Sequence, residues 1–411
     1  MSDVAEVVVV GGGIGGGSLA CALARAGLAV TVLEASEQYE DRVRGESIHA
    51  WGVKEARELG VEQVLLDAGA HITPVWKQYG EGLDESELPM SMMVPDIPGS
   101  LNLRHPVACQ ALVDAAAAAG ASVVRGARDI KLASGSTGSL PSSSVSYAAG
   151  GQTHELRATL VVGADGRAST VRKQVGITLE RQDHISYVAG LLIDGLTDVP
   201  DDYDVLAGGS DAFFVLFHQG QGRARAYLMP GLSGQHRFSG RGGAERFLAA
   251  CAETSFPFGA AVASGNPIGP CATYPGDDTW TDSPYADGVV LVGDSAGHND
   301  PIIGEGLSIA MRDARTVRDL VLDGARTPSD FAPYGAERYA RMERLRFGAD
   351  IIAVSQAEDA ENRAARQSFV GERMASGDPG VFPVLFGLFA GPETIPQEAV
   401  DPDLLDRIRA A

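Results

Sequence analysis

The first 35 residues constrain the fold more than any other part of the chain. Val7–Val10 is a β-branched run that stops at Gly11-Gly12-Gly13-Ile14-Gly15-Gly16. Ser18 to Ala26 is rich in Ala and Leu and reads as a helix; Gly27 stops it, and Ala29–Leu33 reads as a second strand leading into Glu34. A strand, a G-x-G-x-x-G turn at Gly11, Gly13 and Gly16, a helix and a terminal acid together specify a dinucleotide-binding unit. Gly11 allows the tight turn, Gly13 lets the backbone approach a pyrophosphate, and Gly16 lets the helix lie close on the sheet. Phosphates there meet the free N–H groups and positive end of the helix, so Ile14 and Gly15 belong to the same cradle. Glu34, followed by Ala35, stands 18 residues after Gly16, where its carboxylate accepts ribose hydroxyls. That carboxylate repels a 2′-phosphate, so FAD or NAD is favoured over NADP in this unit.

Charge removes whole classes of partner. The chain has 411 residues, 33 Lys+Arg against 54 Asp+Glu, and a net charge of −21. A surface this acidic does not neutralise nucleic-acid phosphates and is not drawn to anionic membranes. Met1 to Glu6 carries two acids and no base, so no signal peptide is expected. The apolar stretch Val381 to Ala390 is too short to span a bilayer and is expected to pack on the body. Cys21, Cys109, Cys251 and Cys271 form no close-spaced pair, which fits a reducing cytosol, and no metal site is read.

The rest of the chain alternates. Residues 53–68 and 107–120 read as helices, Ser122–Val124 and Leu160–Val162 as strands, and 134–144 as a loop or hairpin tip. From about 184 to 275 the character changes. Tyr187–Leu192, Phe213–Phe217 and Arg225–Met229 are aromatic or β-branched runs between Gly and Asp clusters, the pattern of an antiparallel sheet. Val289–Val292 returns to a buried parallel-type strand, followed by a helix near 305–322 and a charged helical tail from 330 to 375. The expected fold class is α/β: a Rossmann-like domain from 1–75, 101–180 and 283–330, an interleaved antiparallel-sheet substrate domain from 76–100 and 181–282, and C-terminal helices from 331–411.

Two further strings carry a specific resemblance. Val162-Gly163-Ala164-Asp165-Gly166-Arg167 is a strand ending in Asp-Gly. Val292-Gly293-Asp294 is a strand ending in Gly-Asp, followed by Pro301-Ile302-Ile303-Gly304-Glu305-Gly306-Leu307. With the N-terminal turn, in this order, the chain resembles the flavoprotein hydroxylases of the para-hydroxybenzoate hydroxylase type across residues 4–340. The resemblance implies that Gly11, Gly13, Gly16 and Glu34 hold the ADP half of FAD. It implies that Asp294 binds the ribityl or pyrophosphate region and that Asp165 and Gly166 serve FAD and the reduced nicotinamide. Arg44 and Arg104 match arginines that contact the flavin, and Pro301 lines its ring. Gly304, Gly306 and Leu307 open a helix whose N–H groups face the anionic N1 of reduced flavin. The implied reaction is hydroxylation of an aromatic or other electron-rich small molecule with O2, through a flavin C4a-hydroperoxide. NADPH or NADH serves as transient reductant, since no second glycine fingerprint exists. The expected protein is a cytoplasmic monomer or homodimer without stable membrane insertion, of a kind used in secondary metabolism.

Some strings depart from that family. Gly297 stands where His is usual, with His298 shifted by one, and Glu305 stands where Gln is usual. Gly304-Glu305-Gly306 and Gly45-Glu46 look more like geranylgeranyl reductases, so reduction of an isoprenoid C=C bond is the alternative; Gly45-Glu46-Ser47 is similar to flavin halogenases. For a halogenase the active lysine has no counterpart, Lys54 and Lys77 falling in helix and turn contexts. On the substrate side, Phe213, Val215 and Phe217 alternate to one face with Tyr227 on a neighbouring strand, and one face only is expected to meet the core. His49, Trp51, His218 and His298 are polar or stacking candidates. His298 is placed with Pro301 as a catalytic candidate because it sits in the same loop.

Overall fold

The computed structural model describes residues 3–43, 45–80, 83–137, 140–208 and 212–411. Five parallel strands run Val289–Leu291, Gln152–Gly163, Asp3–Val10, Val30–Glu34, Ser122–Arg125 across one sheet. Val7, Val8 and Val9 are fully buried, so both faces of the central strand are covered, as parallel strands require. Helices Ile14–Arg25, His105–Ala118 and Gly306–Leu322 pack on one face. Val8, Val10 and Leu33 on the other face pack with Val145, Tyr147 and Ala296.

The second large sheet takes the order Asn266–Pro275, Tyr187–Asp194, Ala224–Pro230, Ala212–His218, Tyr203–Ala207, Val75–Gly80, Leu83–Pro89. Its pairings are antiparallel apart from Tyr203–Ala207 beside Val75–Gly80, which is parallel. A small sheet of Ser47–Ile48, Ser100–Asn102 and His71–Thr73 lies between the two in sequence. Helices Ala332–Ile352, Arg363–Ser376, Phe382–Ala390 and Asp403–Arg409 complete the chain.

The structure corrects four expectations. The 53–68 segment is two helices, Ala50–Glu58 and Glu62–Asp67, because Gly60 turns the backbone at φ +75°. The arms of the 134–144 hairpin stay in strand to Thr137 and from Leu140; residues 138 and 139 lie outside the described residues. Lys77 lies on a strand, not in a turn. Finally, the Ala212–His218 and Ala224–Pro230 strands are buried on both faces, not one. Phe213, Val215, Phe217, Tyr227 and Met229 join the main core. Phe214, Leu216 and Leu228 pack instead under Phe247, Cys251 and Val262 of two helices, Gly243–Cys251 and Gly259–Ala263.

Candidate functional site

The three glycines of the first turn do different work. A Cβ at Gly11 would lie 2.3 Å from the Ala164 carbonyl oxygen, and one at Gly16 would lie 2.0 Å from the Gly11 carbonyl oxygen. Both are therefore demanded by packing. A Cβ at Gly13 would meet nothing within 4 Å; that position faces open space at the start of a helix no side chain caps. Gly13 thus leaves room in front of the helix start, with Ile14 and Gly15 buried behind it. Glu34 is buried, and its carboxylate accepts the N–H of Gly12 at 2.7 Å and of Ser36 at 2.7 Å. Each carboxylate oxygen keeps a further lone pair for a ribose hydroxyl. Ala35 follows at the strand end, exposed beside the half-buried Ser36. Tyr39 donates to the Gly12 carbonyl at 2.5 Å, and the Arg125 guanidinium lies 4.4 Å over its ring; neither contact had a sequence signal.

Asp165 and Gly166 follow the Gln152–Gly163 strand. Asp165 accepts the backbone N–H of Thr170 at 2.6 Å and of Val171 at 3.2 Å, so this carboxylate anchors the short helix Thr170–Gln174. A Cβ at Gly166 would meet nothing within 4 Å. Asp294 is a third exposed, its Oδ2 3.3 Å from Arg167 Nε. The two loops are joined through Arg172, which donates to the Ser295 carbonyl at 2.8 Å and the Arg167 carbonyl at 3.0 Å. Behind them, Arg338 donates to the Ala296 and Gly297 carbonyls at 3.0 and 2.8 Å and to Asp313 at 2.9 Å. Asp313 and Arg338 are buried supports that the sequence did not reveal.

Asp300 caps the turn Pro301–Ile303 by accepting the Ile302 N–H at 2.8 Å. Burial, then the charge of Asp278, pushes the Asp300 carboxyl up to about 8. Gly304 takes φ +67°, and the helix beginning at Gly306 has no side-chain cap. A Cβ at Gly306 would meet nothing within 4 Å, whereas Leu307 is packed into the core. Glu305, fully buried, turns away to His49: Oε1 lies 2.6 Å from Nδ1. His49 Nε2 and Glu305 Oε2 are buried without a hydrogen-bond partner. The His49 ring stacks 5.6 Å from Phe389 and meets Trp76 edge-on at 5.0 Å. A Cβ on Gly304 would lie 3.2 Å from His49 Nε2 and 3.5 Å from Phe217 Cζ.

The other candidates are dispersed. Pro301 is half-buried in its turn. His298 is held by the neighbouring segment, its Nδ1 2.8 Å from Thr279 Oγ1 and its Nε2 3.3 Å from Asp277. Trp51 is buried in the core and donates to the Leu388 carbonyl at 3.2 Å, which anchors the C-terminal apolar segment. His218 is buried against Tyr203; burial, then His71, depresses it to about 3. Arg104 lines both a 480 Å³ cleft with Tyr39 and Gln110 and a 200 Å³ one with Asn102 and Arg223. Arg44 lies outside the described residues. Tyr227 donates to Glu46 at 2.7 Å, and Arg225 bridges Glu46 at 2.9 Å and Asp41 at 2.6 Å. Burial raises the Glu46 carboxyl to about 7 against the pull of Arg225 and Tyr227. Lys77 is paired with Glu85 and Glu87 at 2.6 and 2.8 Å.

The chain matches the FAD-binding domain family over residues 4–347, and it belongs to that family. It is a flavoprotein, an FAD-dependent oxidoreductase. Among curated relatives, the ubiquinone hydroxylase UbiL of Rhodospirillum rubrum is 26% identical, covering 84% of this chain and 78% of its own. Digeranylgeranylglycerophospholipid reductase 1 of Methanococcoides burtonii is 27% identical over 85% of this chain and 82% of its own. The fold is that of PqsL of Pseudomonas aeruginosa, crystallised with 2-aminobenzoylacetate, at a TM-score of 0.73, 20% identity and coverage of 88% and 99%. The residues present fit FAD: Gly13, Gly166 and Gly306 each leave open the space a Cβ would fill, and Gly13 and Gly306 stand at helix starts with no side-chain cap, suited to phosphate and to an anionic ring. Among the described residues, no helix is long and apolar enough to cross a membrane.

Proposed function

We propose that the chain is an FAD-dependent monooxygenase that uses NADPH or NADH and O2 to hydroxylate an aromatic or other electron-rich small molecule. The observation that carries this reading is the meeting of two surfaces. A Cβ on Gly304 would lie 3.5 Å from Phe217 Cζ, and Phe217 meets the Tyr227 ring at 5.9 Å on the core-facing side that also carries Phe213 and Val215, so an aromatic wall reaches the Pro301–Leu307 turn at Gly304. In this reading Gly11, Gly13, Ile14, Gly15, Gly16, Glu34 and Ala35 hold the ADP half of FAD. Arg104, Asp165, Gly166 and Asp294 hold its middle, and Pro301, Gly304, Gly306 and Leu307 hold its ring. Bound FAD supplies electron transfer from the nicotinamide and activation of O2. The protein's share is positioning and exclusion of water. The helix start at Gly306 stabilises negative charge on the ring, and the apolar wall keeps water from it. His298, turned toward Asp277, acts on the loop that carries Pro301.

A second reading, reduction of an isoprenoid C=C bond, draws on Gly304-Glu305-Gly306 and on the archaeal reductase relative. One experiment separates them. The purified holoenzyme is incubated with NADPH or NADH and a panel of phenols, aminoarenes, quinones and prenyl lipids, with and without O2, and products are weighed by mass spectrometry. The monooxygenase reading expects gain of one oxygen, aerobically only. Gain of two hydrogens, indifferent to O2, would overturn it in favour of the reductase.

A further inference from the structure

The sequence pointed to His49 as a lone contact and to Glu305 as an oddity of the turn. The structure joins them, though 256 positions separate them in sequence. Glu305 heads the Gly306–Leu322 helix and is 0% exposed, and His49 is 2% exposed. A carboxylate only accepts, so the proton of the 2.6 Å contact sits on His49 Nδ1, and in the neutral imidazole Nε2 then presents a lone pair. That lone pair is buried and unpartnered, as is Glu305 Oε2. Packed around the pair are Trp76, Phe217 and Phe389, which offer no charge. The charged group that reaches it through space is Asp204, itself buried and held by Thr73 and Asn102 at 2.7 Å each. With Glu305 ionised and His49 neutral, the pair therefore carries one negative charge at the start of the helix whose positive pole faces the flavin, and only that pole offsets it.

We propose that the His49–Glu305 pair takes up a proton when bound FAD is reduced, so that reduction consumes one proton at the cofactor and a second at His49. The inference rests on the placement of the flavin ring at the Gly306 helix start. Reduction adds two electrons and one proton to the ring, leaving it anionic. A second anion beside Glu305 in an apolar pocket raises the affinity of His49 Nε2 for a proton from solvent. The N–H bond formed there makes the pair neutral, and by linkage a lower pH makes the flavin easier to reduce. His49 and Glu305 are thus positioning residues that tune the cofactor.

The test is the midpoint potential of the FAD holoenzyme, by equilibration with reference dyes, between about pH 6 and 9, the range in which imidazoles titrate. A tenfold change in proton activity moves a two-electron couple by about 30 mV per proton taken up. Wild type is expected to reach about twice that slope within this range, while His49→Gln stays near the single-proton slope wherever the two curves separate. The double variant H49Q/E305Q keeps an amide pair in the same space and is expected to behave as His49→Gln; bound-FAD absorbance reports that each variant folds. A wild-type slope that never exceeds one proton, or a slope unchanged in both variants, overturns the proposal and leaves the flavin placement standing. Gly306→Val tests that placement separately. FAD binding lost in this variant upholds it, whereas binding retained at wild-type affinity overturns both.

Discussion

Asp313 Oδ2 accepts the backbone N–H of Gly293 at 2.8 Å, tying the loop that carries Asp294 to the long helix Gly306–Leu322. Burial alone would raise this carboxyl, but Arg338 and Arg341 overcome that and hold it below the usual carboxylate range. Asp313→Asn leaves the buried Arg338 without its counter-charge and Arg341 with Glu337 alone. Breaking such a network from one side costs about 3–5 kcal/mol. Denaturant unfolding of apoprotein is expected to show that loss, and FAD to dissociate more readily. Unchanged stability would mean that Arg338 is held by the loop carbonyls alone.

Gly16 and Gly13 predict opposite phenotypes. In Gly16→Ala the new methyl collides with the Gly11 carbonyl. Overpacking of this kind costs about 1–3 kcal/mol or more, so apoprotein stability should fall. In Gly13→Val the side chain enters open space. Apoprotein melting should stay within about 0.5 kcal/mol of wild type while FAD affinity drops at least tenfold. Equilibrium dialysis of FAD alongside thermal melts checks both; a Gly13→Val protein that binds FAD normally would remove this turn from the site.

What was readable in the sequence was local. Val7 to Glu34 folds as written because each signal, a β-branched run, glycines, an Ala/Leu helix, acts within a few residues. Asp165 shows the limit of that method. Its place after a strand could mean cofactor contact or helix cap, and the structure shows the cap bonds directly. Contacts between distant positions left no trace: Glu305 with His49, Arg338 with the Gly293–Gly297 loop, Glu46 with Tyr227. The two-faced burial of Phe213–Phe217 was hidden too, because the covering helices at 243–263 lie within a stretch that read as sheet throughout.

Tyr227 and Glu46 supply a test on the substrate side. The tyrosine hydroxyl is 2.7 Å from a carboxylate that burial raises to about 7. A hydrogen bond to a charged group is worth about 1.5–3 kcal/mol, and Tyr227→Phe removes it. The bond favours the ionised carboxylate, so the stability gap between wild type and variant should widen as pH rises through about 7. Melting curves at pH values on either side measure it. A gap that does not change with pH would mean that Glu46 stays protonated and that Arg225 is paired by Asp41 alone.

Asp300 makes the whole chain's stability depend on pH with a defined sign. Its carboxyl is raised from 3.8 to about 8, by burial first and then by Asp278. Between those values the folded protein binds the proton that the unfolded chain has lost. Stability from this group is therefore complete below the unfolded value and declines as pH rises toward about 8. Asp300→Asn keeps an oxygen to accept the Ile302 N–H and cannot ionise. Its melting temperature should match wild type only at or below the unfolded value of 3.8, exceed it progressively as pH rises from there to about 8, by about 2 °C or more, and hold that lead above it. Calorimetry across the range decides: a difference that is flat, or that favours wild type at high pH, would show that Asp300 is ionised in the folded state and compensated by Asn299 or by the loop backbone.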